Sequence, residues 1–296
     1  HFLPRDLYAA CPRGRNNIYM HKYRLLCGPN GELLKDTMKL AKDKDLQSVG
    51  VAMHVLADTW AHRYFAGTAS LVINNCDGRI YEIVDEKGTR EKVHFNYNPF
   101  SRDNAITKKY GKSIYSTSEH STMNFGHGRI GHLPDFSFMR YEYYPAWNLG
   151  NPMVKDNPSE YYKAFSQMVY GLKYLRGDIP EFQTDTYADE EILPWDAEIR
   201  EAIGRRQTLA SKDWKAIGEK MSGKSLEDYD IYRYRKEFID AAHKRETFLG
   251  KFIVSVRAQK KMIAEKIRES GNPHVGKKDV LFKTDIHSEK IWREQQ

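Results

Sequence analysis

The sequence predicts a mainly α fold carrying a small β-hairpin insertion, and three observations carry that expectation. Apolar residues recur at helical spacing over residues 32–64 and again over 158–269. Between them, residues 68–98 change to a two-residue period broken by Asp77-Gly78 and Lys87-Gly88. Residues 126–150 then concentrate Gly, His, Pro, Asp and aromatic side chains, the composition of a loop that gathers functional groups.

Taken in order, residues 1–31 are rich in Pro, Gly and Asn and read as irregular. Leu33, Leu34, Met38, Leu40 and Ala41 mark one amphipathic helix, and Asp43–Asp45 a break. A second helix is expected from Leu46 to Tyr64, stopping near Gly67. Ser70–Asn74, Arg79–Val84 and Glu91–Tyr97 are expected as strands, and 98–125 as a polar loop. Pro158–Arg176 starts with a proline and has apolar Tyr161, Phe165, Met168, Val169 and Leu172, so it reads as a helix. Asp196–Gly204 and Ser211–Met221 follow as shorter helices, and Asp228–Glu269 as one long helix or two. The whole is expected to form one α-rich domain over 1–296, with a β-insertion at 68–98, a ligand loop at 126–150 and a helical half at 151–296.

Composition narrows the class. With 40% hydrophobic and 29% charged residues, and no apolar run near the eighteen or so that a membrane helix needs, no membrane-spanning helix is expected. Its net charge of +7 favours anionic partners, although 40 acidic residues interleave with the basic ones. The basic run Arg257–Lys266 alternates with apolar residues and reads as the wet face of a helix. Cys11, Cys27 and Cys76 are odd in number and lack CxxC spacing, which favours a reducing, cytoplasmic setting over a disulfide framework. The start at His1-Phe-Leu-Pro-Arg has no signal-peptide character. It reads as a piece of a longer or processed product that lacks its N-terminal segment, so export stays open.

The chemistry concentrates in His54-Val-Leu-Ala-Asp58-Thr-Trp-Ala-His62. Positions i, i+4 and i+8 of a helix drift by only about 40° each, so the three side chains form one stripe. Two imidazoles and a carboxylate suit a borderline divalent cation, zinc first. The residues between them are mostly apolar, so the helix is expected to be buried, and unpaired buried charge is costly. The alternative is a set of His and Asp side chains that simply satisfy one another.

One helix face seldom completes a coordination sphere. Gly126-His-Gly-Arg-Ile-Gly-His-Leu-Pro-Asp135 offers the remainder: glycines that permit close backbone approach, with His127 and Asp135 as expected ligands and His132 as the third choice. His243 and Glu246 read as an exposed pair, and His21, His94, His120, His274 and His287 as surface residues.

Several blocks resemble an uncharacterised bacterial family of unknown function: His1-Phe-Leu-Pro, Cys27-Gly-Pro-Asn-Gly-Glu-Leu, Val49 through Gly67, Gly126 through Asp135, and Ala241 through Phe248. More distantly, the order of motifs looks like the zinc-dependent phospholipase C superfamily, which includes fungal single-strand nucleases. That resemblance implies a helical zinc-phospholipase-C-like bundle and a cluster of one to three zinc ions. It implies His1, His54, Asp58, His62, His127 and Asp135 as ligands. The chain departs from that pattern in the four-residue interval from Asp58 to His62 and in a closing pair that is not His-x3-Glu.

Two functions follow as expectations. The first is a metal-dependent phosphoesterase acting on phospholipid or nucleic acid. Asp58 or Asp135 would then bridge metals or orient water, and Arg63 or Arg129 would offset developing charge. The second is a non-catalytic binding or effector module in which the metal clamps helices. The aromatic stretch Phe136–Trp147 suits acyl chains or bases, but core packing is its simpler role.

Overall fold

The computed structural model describes residues 1–9, 17–76, 78–96, 104–111 and 124–272. Expectations for Cys11, Asp77, Tyr97, His120, His274 and His287 lie outside the described residues. The fold is mainly helical, as the periodicity predicts, with a small antiparallel sheet.

A short helix α1 (Asn17–Tyr23) lies in the segment read as irregular. Helix α2 (Glu32–Ala41) buries Leu33, Leu34, Met38 and Ala41, the stripe its sequence marks. Helix α3 (Leu46–Ala61) starts where the Asp45 carboxylate accepts the Ser48 N–H at 2.9 Å. It ends three residues earlier than expected, with His62 as its C-cap. Ser70–Asn74 is not a strand: Leu71–Asn74 is a helical turn, α4. The β-branched run is overridden because Asn74 must face inward, where its amide donates to the Ala66, Thr68 and Asn124 carbonyls.

Strands β1 (Tyr81–Ile83) and β2 (Arg90–Lys92) form the expected hairpin around Gly88, whose φ of +81° suits glycine. The chain then leaves that sheet: β3 (His94–Asn96) pairs in parallel with β4 (Lys109–Gly111), just after the short helix α5 (Asn104–Thr107). The larger sheet is completed from outside 68–98, by β5 (Arg140–Tyr143) and β6 (Met153–Asp156), in the order β2-β1-β5-β6. So the β element reaches into both the ligand loop and the segment read as helical. Tyr141 and Tyr143 are fully buried there, and Phe136 stacks on Phe138, which makes the aromatic stretch core.

Helix α6 (Asn157–Arg176) has Asp156 as N-cap, a proline in its first turn and Gly177 at φ +93° as its stop. It packs along α3, and Trp60 Nε1 donates to Gln167 Oε1 at 2.9 Å across that contact. Burying residues such as Leu34, Met38 and Leu56 in this helical core stabilises it by about 1.5–3 kcal/mol each. Helices α7 (Asp189–Ile192), α8 (Asp196–Gly204) and α9 (Ser211–Ser222) follow. The long expected helix is two, α10 (Ile231–Asp240) and α11 (Phe248–Glu269), separated by a turn containing His243. Gly250 permits that turn, since a Cβ there would lie 1.8 Å from the Lys244 carbonyl oxygen. Among the described residues no helix is long and apolar enough to cross a membrane.

Candidate metal centre

Helix α3 presents His54 and Asp58 one turn apart, and its C-cap presents His62. The stripe exists, but it serves two groups rather than one. His1, His54 and Asp58 form the first; His62, His127 and Asp135 form the second, each with ligand atoms within 4.8 Å of one another.

In the first group, His1 Nδ1 lies 2.6 Å from Asp58 Oδ2. His54 Nε2 lies 3.1 Å from that oxygen and 3.1 Å from His1 Nδ1. In the second, Asp135 Oδ1 lies 3.2 Å from His62 Nε2 and 3.6 Å from His127 Nε2. Ligands held 2.0–2.1 Å from a tetrahedral zinc are separated by about 3.3 Å, a spacing the second group matches; in the first, the 2.6 Å contact of His1 with Asp58 is a hydrogen bond that an ion would have to replace. The helix is not wholly buried: the His54 side chain is 60% exposed and that of Asp58 13%.

The tautomers strengthen this. His62 Nδ1 donates to the His1 carbonyl at 3.3 Å, and His127 Nδ1 donates to the Gly131 carbonyl at 2.7 Å. A carbonyl can only accept, so Nδ1 is the donor in each ring and Nε2 is the atom that faces Asp135, where a metal ion or a ring proton would meet the carboxylate. Orientation by a second hydrogen bond is also how metal-binding histidines are commonly held.

Protonation follows the same geometry. Burial would raise the Asp58 carboxyl, but hydrogen bonds from His1 and His54 outweigh it and hold it at about 2. Asp135 is likewise held well below the carboxylate range, with His132 and His62 overcoming its burial. Burial lowers His127, favouring the neutral ligand form. The Asp58 bond raises His1, and the Asp135 bond raises His132. His132 Nδ1 sits 2.8 Å from Asp135 Oδ2 while its own side chain is 70% exposed. It therefore stands beside the second group, bracing Asp135.

Arg129 is not placed as expected. It is buried, and its Nε donates to Asn124 Oδ1 at 2.8 Å, with an Nη on the same oxygen. Arg63 pairs with Glu160 at 3.5 Å and lies over the Tyr64 ring. Both guanidiniums have structural partners, and a charge-offsetting role for either would come in addition to these contacts.

Three features that the sequence reading missed position the groups. Asn157, at the start of α6, donates to the Leu133 and Phe136 carbonyls at 2.9 Å each and so fixes the turn that carries Asp135. Lys155 is fully buried and donates to the Trp60 carbonyl at 3.0 Å, with Glu160 as its counterion. Phe2 stacks on His62 at a 4.6 Å ring separation, which sets His1 beside α3. The signal for Phe2 was the pair Gly67 and Gly126: a Cβ on Gly126 would lie 2.2 Å from the Phe2 ring.

That contact yields a measurable expectation. Gly126→Ala pushes Phe2 out, besides straining a backbone at φ +54° by about 1–2 kcal/mol. Zinc titration should show affinity at the His1 group falling about tenfold or more. Adding Phe2→Leu, which removes the ring edge, should recover part of it; no change in Gly126→Ala would mean that Phe2 does not seat His1.

A profile described as a family of unknown function, DUF6765, matches residues 1–267. The chain belongs to that family. No curated protein and no solved structure matches it. The DUF6765 span takes in both ligand groups and every residue that braces them.

Proposed function

We propose that the two groups bind divalent cations, zinc first, and that the centre hydrolyses a phosphoester. One observation carries this reading: two adjacent sets of three ligand atoms, braced from behind, of which the first has an accessible edge. The His54 side chain is 60% exposed, while those of His62 and His127 are 9% and 17% exposed. A structural zinc site is closed by four protein ligands, whereas a catalytic one has three and remains accessible. That favours hydrolysis over a clamp.

Bound ions would polarise the phosphoryl oxygens and make water a nucleophile near neutral pH. The chain's residues do the rest. His1, His54 and Asp58 hold one position, and His62, His127 and Asp135 the other. His62 ties the two together through the His1 carbonyl. His132 is exposed and its pKa is raised by its hydrogen bond to Asp135, which suits it to act as a proton donor to a departing alkoxide. The distant likeness to zinc-dependent phospholipases and nucleases points to the same class, with phospholipid and nucleic acid as candidate substrates.

The test is metal analysis of the purified protein with turnover of bis(p-nitrophenyl) phosphate. Zinc-dependent hydrolysis that chelator abolishes and zinc restores is expected. Protein that retains tightly bound zinc but turns over no phosphodiester would favour the clamp.

A further inference from the structure

We propose that the outer face of α10 is a docking surface for an anionic lipid bilayer. Helix α10 has no buried residue, and α11 is its main support. Its inner side is occupied: Tyr234 stacks on Phe248 at 4.0 Å, and Lys244 lies over the Phe238 ring. The opposite side carries Tyr232, Arg235, Lys236 and Ile239, which share one face at helical spacing, with Ile231 beside them. Tyr232 is 79% exposed and Ile239 58%. Among the described residues neither Arg235 nor Lys236 forms an ion pair.

Charge says what covers this face. Residues 231–269 hold 11 Lys and Arg against 5 Asp and Glu, a net +6 in a chain whose total is +7. Helix α10 itself carries Arg233, Arg235 and Lys236 against Glu237 and Asp240, and the rest of the excess lies on the turn and α11 beside it, so the arm as a whole complements an anionic surface. Nucleic acid would use the basic side chains, and its bases could stack on Tyr232, but it offers nothing to Ile231 or Ile239. A lipid interface takes both, with aliphatic side chains at the acyl boundary and Lys and Arg among the head groups. A ten-residue helix is marginal in water, which makes so much outward apolar surface costly unless something covers it. That this arm carries the centre to a lipid phosphoester rests on the reading proposed above; the docking itself does not.

The experiment sediments the full chain with vesicles of phosphatidylcholine, with and without phosphatidylglycerol, at low and high salt. Two variants alter only outward side chains: Tyr232→Ser with Ile239→Ser, and Arg235→Gln with Lys236→Gln. Binding to the phosphatidylglycerol vesicles is expected, released by salt and about 20-fold weaker without the two basic residues. The apolar variant should also bind poorly, while both variants hydrolyse a soluble phosphodiester as the unaltered chain does. Failure of the unaltered chain to bind, or variants that bind equally well, would overturn the proposal. So would a single-stranded oligonucleotide that binds in place of vesicles and is lost in the same variants. Salt-sensitive vesicle binding that needs these residues, in a protein with no phosphodiester turnover, would keep the docking surface and end the phosphoesterase reading.

Discussion

If the two groups bind zinc and hydrolyse a phosphoester as proposed, Asp58→Asn should remove one of two ions and reduce turnover by more than about 100-fold. Asp58 Oδ2 contacts both His1 and His54, and it is the one anion in its group. An amide oxygen in its place keeps the shape but not the charge that attracts the cation. Asp135→Asn should remove the other ion, because Asp135 meets His62, His127 and His132 together. The pair of variants, read by metal content, separates two independent groups from one shared cluster. Both ions lost in either variant would mean a single cluster; full retention in both would end the site assignment. The pH dependence has a definite sign. His1 is raised by its bond to Asp58, so below that value a proton holds the pair together and must leave before His1 can ligate. Zinc affinity at this group therefore climbs as pH rises through the raised His1 value and levels off above it.

How much of this was legible in the sequence depended on where the deciding contact came from. Helices α2, α6 and α8 could be read because their own periodicity marks them, and α6 has in addition its Asp156 cap, its first-turn proline and its Gly177 stop. The candidate residues could be picked out because three His and Asp side chains in one row on a mostly apolar helix stand out. Their division into two groups could not, since His54 and Asp58 meet a residue more than fifty positions earlier and His62 meets one 73 positions later. Ser70–Asn74 misled for a related reason: the carbonyls of nearby Ala66 and Thr68 and of distant Asn124 decide the conformation of Asn74, not its β-branched neighbours. Strands β5 and β6 were hidden because tyrosines and charged residues read as loop until a partner strand buries them. Arg129 looked like a phosphate binder beside two histidines, yet its own fold neighbour Asn124 engages it.

Glu160→Gln should be the most destabilising single change outside the ligands. Lys155 is fully buried on β6, one strand residue before the N-cap of α6, and its ammonium is paired with Glu160 one turn inside that helix. Burial lowers the Lys155 pKa, while the attraction and hydrogen bond of Glu160 oppose that fall. Removing one partner of a buried ion pair leaves an uncompensated charge, which costs about 3–5 kcal/mol. At about 2–4 °C per kcal/mol for chains of this order of size, thermal unfolding should drop by roughly 10 °C. Lys155→Met combined with Glu160→Gln replaces the charges together and should melt closer to the unaltered protein, as buried pairs replaced by apolar groups often do. The single and double variants also report on the centre, because the Lys155 ammonium donates to the Trp60 carbonyl, two residues before His62. If Lys155 only balances charge, the double variant binds zinc normally at the His62 group. If it also fixes the end of α3, that affinity falls while the His1 group, whose His54 and Asp58 lie about two turns and one turn before His62, binds as before.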